Sequence, residues 1–375
     1  MKHINVLPLL LCVCLASAAW GQQSAANSHN NWSEFLRADM TRNNPYETTL
    51  GVHTVGGLEL KWSYTVNNYG CSGAAVANGV VYVGFGDGEE IAFDASTGTK
   101  LWSFQTGNSI WSFAAVSGGV VYFGSSDNNI YALEASTGAL LWSYTTGNAV
   151  NSAPTVVNGV VYIGSNDDNL YALNATTGAL LWSYATGNQV QSSPAVVGGV
   201  VYVGSFDNTV YALNANTGAL NWKYNTGGRV YSSAVVVNGA VYVGSGNNNF
   251  YALTATTGKV LWTHTVGGPI NSTAAVANGV VYFAAEDFNA YALNAGTGAR
   301  IWIHKLYNYP DSGLSYVNGV VYVTANTGKT TALNATTGVQ LWSYQTSLPL
   351  SPSVVNGMVF VGDNWNGYVY AFGLP

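Results

Sequence analysis

The chain has 375 residues and a formal net charge of −6, and only 7% of its residues are Asp, Glu, Lys or Arg. Soluble domains usually contain about 25% of these residues, so Asn, Ser, Thr and Gly supply most of the polarity here. The eleven Lys and Arg are scattered along the chain. Because nucleic-acid binding requires a dense basic face, the composition argues against that class of partner.

The N-terminus has the pattern of an export signal. A basic start at Lys2 is followed by the apolar run Val6–Leu15 and by small residues that end at Ala18. This order is typical of a secretory signal with a cleavage site, and the apolar run is too short to remain as a membrane-spanning helix. We therefore predict that residues 1–18 are a cleaved signal peptide and that the protein is exported, to the periplasm or the cell exterior.

The cysteines favour a soluble product over a lipid-anchored one. A lipidated cysteine usually follows a small residue, whereas Cys12 follows Leu11 and Cys14 follows Val13. Cleavage of the signal would leave Cys71 alone, so we expect no intramolecular disulfide. We interpret Cys71 as a small buried residue at the start of a strand. A reactive thiol or an intermolecular disulfide is the alternative.

Tryptophan recurs at a fixed interval of forty residues. The repeated residues are Trp62, Trp102, Trp142, Trp182, Trp222, Trp262, Trp302 and Trp342. Such a period means that one structural unit is copied along the chain. Each copy contains four short apolar runs separated by Gly, Asn, Asp and Thr, as in NGVVYIGSNDDNLYALNATTGALLWSYATGNQVQSSPAVV at residues 158–197. Four strands per repeat of about forty residues are the signature of a β-propeller blade.

We therefore predict an all-β protein. Residues 58–375 are expected to form an eight-bladed β-propeller of four-stranded antiparallel blades, preceded by a lead-in segment at residues 19–57. Both chain ends contribute to one blade, because Leu58–Val66 resembles an outer strand that lacks three partners. The C-terminal segment supplies three strands and lacks the fourth, around Ser353–Val355, Met358–Gly362 and Tyr368–Phe372. Their pairing would remove the open sheet edges of an unclosed ring.

The repeat also predicts its own turns and packing. Asn158-Gly159 indicates a type I′ hairpin turn, which needs positive φ at both central residues. The following run, Val160–Gly164, is apolar at every position, as expected of a strand covered on both faces. In the last strand we expect Leu180, Trp182 and Tyr184 to share one face. Trp182 and Tyr184 would pack between adjacent blades, where a buried indole is a principal stabiliser.

The text AlxAxTGxxxW, present as Ala172–Trp182, resembles the tryptophan-docking motif of the pyrroloquinoline quinone (PQQ) type propeller repeat. The resemblance covers residues 58–375, and the stretch from Trp32 to Trp62 is similar to the lead-in of that superfamily. Relatives include quinoprotein alcohol dehydrogenases and the propeller lipoprotein of the outer-membrane β-barrel assembly machinery. The resemblance implies eight blades.

The resemblance does not by itself imply a bound quinone, because the Ala, Gly and Trp of the motif hold blades together. Many quinoprotein dehydrogenases carry an adjacent Cys-Cys pair over the cofactor, and they use a Glu, Asn and Asp set for Ca²⁺ and catalysis. Here no two cysteines adjoin. We therefore predict a non-catalytic binding or scaffold module without a cofactor. A PQQ- and Ca²⁺-dependent oxidoreductase is the alternative.

Comparison of the eight copies with one another separates scaffold from site. The positions that vary most lie just before the innermost strand, at spacing forty. They are Cys71, Trp111, Asn151, Gln191, Tyr231, Asn271 and Asp311. We expect these loops and the turns between second and third strands to share one face of the ring, around one mouth of the central channel. Trp, Tyr and amides at this mouth would bind a sugar, a peptide or another flat polar ligand. Arg229, the only basic residue of these loops, is a candidate for recognising a carboxylate.

Three classes of partner follow from this mouth. We predict that a monomer binds either a protein or a small polar ligand there, and a carbohydrate-binding propeller is the third hypothesis beside the scaffold and the quinoprotein. Two acidic groups, Asp87 with Glu89 and Glu90, and Glu286 with Asp287, are expected to be water-facing turn residues, with a Ca²⁺ site as the alternative. His264 and His304 replace a packing tyrosine of the repeat, so we interpret them as packing residues.

Overall fold

A computed structural model of the protein describes residues 31–36, 40–66, 70–310, 312–326 and 328–375. These residues form eight four-stranded antiparallel sheets arranged as the blades of a β-propeller. The predicted fold class is therefore confirmed. The predicted signal peptide at residues 1–18 lies outside the described residues. In the part of the chain that is described, no helix has the length and apolar character needed to cross a membrane.

Each blade runs from a short inner strand near the ring axis to a longer outer strand. Numbered in chain order, the inner strands are β2 (Ala75–Ala77), β6 (Ala115–Ser117), β10 (Thr155–Val157), β14 (Ala195–Val197), β18 (Val235–Val237), β22 (Ala275–Ala277), β26 (Ser315–Val317) and β30 (Ser353–Val355). The second strands are β3 (Val80–Gly84), β7 (Val120–Gly124), β11 (Val160–Gly164), β15 (Val200–Gly204), β19 (Ala240–Gly244), β23 (Val280–Ala285), β27 (Val320–Thr324) and β31 (Met358–Gly362).

The outer half of each blade holds the repeat motif. The third strands are β4 (Glu89–Asp94), β8 (Asn129–Glu134), β12 (Asn169–Asn174), β16 (Thr209–Asn214), β20 (Asn249–Thr254), β24 (Asn289–Asn294), β28 (Lys329–Asn334) and β32 (Tyr368–Gly373). The outer strands are β1 (Glu59–Thr65), β5 (Lys100–Gln105), β9 (Leu140–Thr145), β13 (Leu180–Ala185), β17 (Leu220–Asn225), β21 (Val260–Thr265), β25 (Arg300–Lys305) and β29 (Gln340–Gln345). A 3-10 turn at Val55–Gly57 precedes β1.

The ring is closed as the sequence predicts. Strand β1 pairs antiparallel with β32, which gives the eighth blade the strand order β1-β32-β31-β30. The two ends of the chain are thereby held in one sheet. This pairing leaves no blade unfinished, and an unfinished blade would offer its edge to other chains.

The inner half of the blade also follows the prediction. In β11 the residues after Val160 are buried, as in the second strands of the other blades, because neighbouring sheets cover both faces. The turn before it has φ of 51° at Asn158 and 76° at Gly159. These are the left-handed values of a type I′ turn, which Asn and Gly adopt at low cost.

The expectation that Leu180, Trp182 and Tyr184 share one face is wrong at Leu180. Ala172 pairs with Trp182, whereas the adjacent Leu173 pairs with Leu180, so one extra residue is inserted in the outer strand. Such a β-bulge breaks the alternation of faces. As a result the side chain of Leu180 is 46% exposed, and that of Trp182 only 8%.

The indole of each repeat tryptophan connects its blade to the next one. Trp182 Nε1 donates a 2.9 Å hydrogen bond to the carbonyl of Ala215, and the hydroxyl of Tyr162 donates to the same oxygen at 3.1 Å. The indole also packs on Gly218, where a Cβ would lie only 2.8 Å from the ring. Gly218 has a φ of 71°, so both its backbone and its contact with the indole require glycine.

The same indole hydrogen bond occurs around the whole ring at 2.8–3.0 Å. The pairs are Trp62–Ala95, Trp102–Ala135, Trp142–Ala175, Trp182–Ala215, Trp222–Ala255, Trp262–Ala295, Trp302–Ala335 and Trp342–Leu58. The last pair joins the seventh blade to the segment that enters β1. The predicted docking role of the eight tryptophans therefore has a directional component as well as burial.

Trp182→Ala should lower the free energy of unfolding by about 3–5 kcal/mol, because it removes a buried aromatic side chain and leaves a cavity. It also leaves the carbonyl of Ala215 without its indole donor. Thermal and urea unfolding, followed by circular dichroism, measure the effect. Trp365→Ala is the matched control, since Trp365 is 71% exposed. Equal losses in the two variants would contradict the docking role.

Candidate functional site

The structure brings six of the seven variable loop positions to one cavity at the ring axis. Its wall includes Cys71, Trp111, Asn151, Gln191, Tyr231 and Asn271, and the cavity has a volume of about 250 Å³. Asp311, the seventh position, lies outside the described residues. The wall residues come together because each stands at the same place in its repeat, immediately before an inner strand. We call this cavity the funnel.

The outer part of the funnel is built by a second set of loops. Glu286, Asn326 and Asn364 belong to turns between second and third strands, and they line the same opening beside Tyr231 and Asn271. Sequence comparison among the blades had pointed to the first set of loops by residue. It had placed the second set only by its expected face of the ring.

A deeper tier of small residues connects neighbouring blades along part of the wall. Each lies two positions after a variable residue, and each binds the next blade: the amide of Ala153 donates to Ser193 Oγ, that of Ser193 to Ser233 Oγ at 2.8 Å, and that of Ser233 to Thr273 Oγ1 at 3.0 Å. These hydrogen bonds join the segments that enter four neighbouring inner strands, so backbone amides and side-chain hydroxyls together connect this part of the wall.

The lead-in segment covers the other end of the channel. The inner strands β2, β6, β22 and β26 accept it by backbone hydrogen bonds. These bonds are Trp32 N to Val76 O, Val76 N to Trp32 O, Val116 N to Ser33 O, Val276 N to Thr41 O and Tyr316 N to Arg42 O, all at 2.7–3.0 Å. The inner edges of these strands are therefore already paired. Nothing in the repeat pattern predicts this closure, since the lead-in is not part of the repeat.

Arg42 and Phe35 anchor the lead-in at the base of the funnel. Phe35 lines the cavity and packs edge-on against Phe113 at 4.8 Å between ring centroids. The guanidinium of Arg42 lies 4.6 Å from the Phe35 ring centre. It donates hydrogen bonds to the Phe35 and Leu314 carbonyls and, at 2.9 Å, to Ser315 Oγ.

The buried position of Arg42 changes its chemistry. Burial lowers the pKa of Arg42 to about 9, since the charged form loses its hydration. The ring faces of Trp32 and Phe35 and the carbonyl acceptors replace part of that hydration. Arg42 is therefore a structural residue of the lead-in. The sequence does not predict this role, because a single Arg in an irregular segment is not part of a repeated pattern.

Arg229 is placed beside the funnel rather than in its wall. Its guanidinium lies 5.5 Å from the ring centre of Phe206, and that ring is 5.9 Å from the ring of Tyr231. Arg229 is not among the described residues that line the funnel. Its predicted role in recognising a carboxylate stays a prediction that this position does not favour.

The turn aspartates are structural acceptors. Asp167 accepts hydrogen bonds from the Tyr171 hydroxyl at 2.6 Å and from the amide of Gly147 at 2.7 Å. Burial of the Asp167 carboxylate raises its pKa, whereas the hydrogen bonds lower it. The net effect is a lowered pKa of Asp167. Asp287 makes the same bonds with Tyr291 and Gly267. The carboxylate of Asp287 therefore has a structural role in the turn of its blade.

Glu90 corrects the expectation of a water-facing acidic group. Its side chain is fully buried in β4, and neither carboxyl oxygen has a hydrogen-bond partner among the described residues. Burial raises the pKa of Glu90 well above its usual range. Glu90 pairs with Gly84 as Leu170 pairs with Gly164. A carboxyl group thus occupies a core position that another blade fills with leucine.

Cys71 and the two histidines also have structural surroundings. The Cys71 thiol is buried, and burial raises its pKa, so the reactive thiolate is disfavoured. Burial lowers the pKa values of His264 and His304. The His264 ring lies 6.2 Å from the ring of Tyr291, which agrees with the interpretation as a packing residue.

The donor set of the funnel does not match a quinone with bound Ca²⁺. Calcium takes roughly six to eight oxygen ligands, usually with several carboxylates. Among the described residues that line the funnel, Glu286 supplies the one carboxylate, and its Oε1 accepts a 2.6 Å hydrogen bond from Asn271 Nδ2. Across the described ranges, no three His, Cys, Asp or Glu side chains are grouped so as to hold a metal ion.

Fold and site together define an eight-bladed propeller with a polar funnel at one end of its channel and a paired lead-in at the other. A family model described as "Outer membrane protein assembly factor BamB" matches residues 58–112, 107–229, 206–315 and 288–372. Because these segments span the propeller, the chain belongs to this family of PQQ-type repeats, as the sequence motif indicated. No curated protein matches the chain in sequence.

Several solved structures share the fold. BamB from Moraxella catarrhalis is 19% identical with a TM-score of 0.74, over 84% of this chain and 98% of that one. The quinohemoprotein alcohol dehydrogenase of Comamonas testosteroni is 17% identical with a TM-score of 0.80, over 93% and 82%. A europium-containing methanol dehydrogenase is 14% identical with a TM-score of 0.81, over 93% and 99%. At these identities the similarity establishes the fold and leaves function open.

Glu90→Leu should stabilise the protein by about 1–3 kcal/mol, the usual cost of a buried polar group without a partner. The gain should increase with pH. Between the unfolded pKa of about 4.3 and the raised folded pKa, the folded wild type keeps a proton that the unfolded chain releases, so its stability falls as pH rises. Urea unfolding at pH 4.5 and pH 8 measures this.

Leu170→Val provides a control for changes at the equivalent core position, since it has no titrating group. It should shift stability by the same amount at both pH values. A Glu90→Leu gain that does not depend on pH would contradict the assignment of a protonated, buried carboxyl group.

Proposed function

We propose that the protein is an exported, non-catalytic binding module that holds a small polar ligand or a polar segment of a protein partner in the funnel. The observation that carries this proposal is the funnel itself. Its wall carries polar and aromatic side chains, it opens at one face of the ring, and the lead-in pairs with inner strands toward the opposite end of the channel. Such a cavity is suited to binding a chemical group rather than to conducting it through the channel.

The chemistry of the wall supports binding over catalysis. The deep part of the funnel presents amides, hydroxyls and aromatic rings. Cys71, which could act as a nucleophile elsewhere, is buried with a raised pKa. The Glu286 carboxylate is engaged by Asn271. General acid–base or nucleophilic catalysis requires a base within reach of a reacting group, and the described wall does not supply such a pair.

Family membership supports a role in the cell envelope. The matching family is described as an outer membrane protein assembly factor, and the predicted signal peptide at residues 1–18 would deliver this chain to the same side of the inner membrane. A protein partner held by the propeller is therefore the version of the proposal that the family favours. A soluble monomer that acts as a scaffold is consistent with both the family description and the predicted export.

The binding proposal is tested by capture with mouth variants. Immobilised protein is exposed to an envelope extract, and the retained proteins and saccharides are both analysed by mass spectrometry. Trp111→Ala combined with Tyr231→Ala should reduce retention of the specific partner at least tenfold, because both side chains line the funnel. Leu181→Ala, which changes an exposed side chain on the outer strand β13 and not at the mouth, should retain it. Unchanged capture by the double variant would overturn the proposal.

A quinoprotein oxidoreductase is the second candidate, since dehydrogenases of this fold cover 93% of the chain. In that case Asn271 and Glu286 would be the described oxygen donors at the mouth, fewer than the roughly six to eight that Ca²⁺ usually takes, and the quinone would supply the redox chemistry. The protein is mixed with PQQ and CaCl₂, and bound quinone and alcohol-dependent dye reduction are measured. We expect neither stoichiometric uptake nor dye reduction above a no-protein control. One bound quinone per chain together with alcohol oxidation would replace the binding proposal.

A further inference from the structure

We infer that the funnel binds an uncharged saccharide unit, such as the end of a neutral glycan or one residue within it. This inference rests on the proposed binding function and specifies the chemistry of its ligand. It follows from three properties of the cavity, namely its charge, the state of its amide groups, and the placement of its aromatic rings.

The charge of the wall favours a neutral ligand. Among the described residues, those that line the deep part of the funnel include no Asp, Glu, Lys, Arg or His. Arg42 lies close to the base, but its guanidinium is fully buried and is committed to the Phe35 and Leu314 carbonyls and to Ser315. Glu286 at the outer part would repel an anion. Arg229 stands beside the funnel on the Phe206 ring and is not among the described lining residues. A phosphate or carboxylate in the deep part would therefore lose its hydration without gaining a cationic partner from the described wall.

The amides of the wall offer donors and acceptors together. Asn151 Oδ1 accepts from Ser126 Oγ at 3.3 Å, which leaves its NH₂ group for a ligand. Gln191 Nε2 donates to Gln189 at 2.9 Å and Asn271 Nδ2 donates to Glu286 at 2.6 Å, which leaves the two amide oxygens as acceptors. A sugar hydroxyl both donates and accepts a hydrogen bond. This mixed set therefore fits a polyol better than an anion, which only accepts.

The aromatic rings provide apolar surface for the C–H faces of a sugar ring. Trp111 and Tyr231 are 36% and 43% exposed, and they stand three of eight blades apart around the mouth. Phe113 and Phe35 lie at the base. Aromatic rings with a nearby polar rim bind ligands that are apolar on one side and hydrogen-bonding on the other.

The cavity is less suited to binding a peptide. Extended peptides are usually bound by adding a strand to an open sheet edge. Here the lead-in already pairs with the central residue of the inner strands at Val76, Val116, Val276 and Tyr316. The deep part of the funnel, at about 250 Å³, lies at the lower end of the roughly 300–1,000 Å³ of typical drug-sized sites, which suits one small unit.

Isothermal titration calorimetry tests the inference with neutral trisaccharides of glucose, xylose, mannose, galactose and N-acetylglucosamine. Tri-galacturonate serves as the charged counterpart, and an unstructured polar hexapeptide as the peptide probe. We expect at least one neutral trisaccharide to bind saturably and at least tenfold more tightly than tri-galacturonate. Trp111→Ala and Gln191→Leu should each weaken that binding at least tenfold. Leu181→Ala, which changes an exposed side chain on the outer strand β13, should leave it unchanged. Circular dichroism checks that each variant is folded.

Saturable binding of tri-galacturonate or of the peptide alone would overturn the inference, as would no binding of any neutral trisaccharide. Binding that survives both funnel substitutions would also overturn it, because the sugar would then lie elsewhere. The broader proposal has its own readout. If no neutral sugar binds while the double mouth variant still loses its partner from envelope extract, the saccharide inference fails and the binding function stands.

Discussion

The hydrogen bond from each repeat indole to a carbonyl of the next blade is the interaction on which the structure depends. A single blade cannot bury both faces of its sheet, and the indole supplies both apolar area and a fixed direction to the neighbour. Because Gly218 and its equivalents lie directly under the ring, the contact tolerates little variation. The ring closes when Trp342 finds the carbonyl of Leu58, which belongs to the other end of the chain.

Closure of the ring creates a second problem at its centre. Eight inner strands meet around a channel with their inner edges unpaired, and unpaired backbone groups are costly when they are buried. The lead-in meets this need at one end by pairing with Val76, Val116, Val276 and Tyr316. The other end stays open and is lined by side chains that the blade architecture does not specify. The funnel is thus the part of the channel that is not paired with the lead-in.

Variation among the blades distinguishes the positions that the fold requires from the positions that it leaves free to vary. Trp182, Gly218 and Asp167 recur because the backbone and the docking contact demand them. Trp111 and Gln191 occupy one repeat position with different chemistry, since both line the cavity and the blade-docking contacts do not involve them. Glu90 shows that the distinction has exceptions: it differs from Leu170 at an equivalent core site, and its unpaired carboxyl group brings a cost without an evident partner.

The sequence by itself determined the all-β class, the eight blades, their turns, the closure by both chain ends and the face on which the variable loops meet. These features depend on local periodicity and on a unit repeated eight times, so every copy carries the same information. Only the tertiary structure decided the bulge that exposes Leu180, the burial of Glu90 and Arg42, and the path of the lead-in across the channel. The bulge recurs in the blades but depends on how the third and outer strands pair, which the apolar pattern does not show. The burial of Glu90 and Arg42 and the path of the lead-in depend on contacts that occur once and therefore leave no period to read.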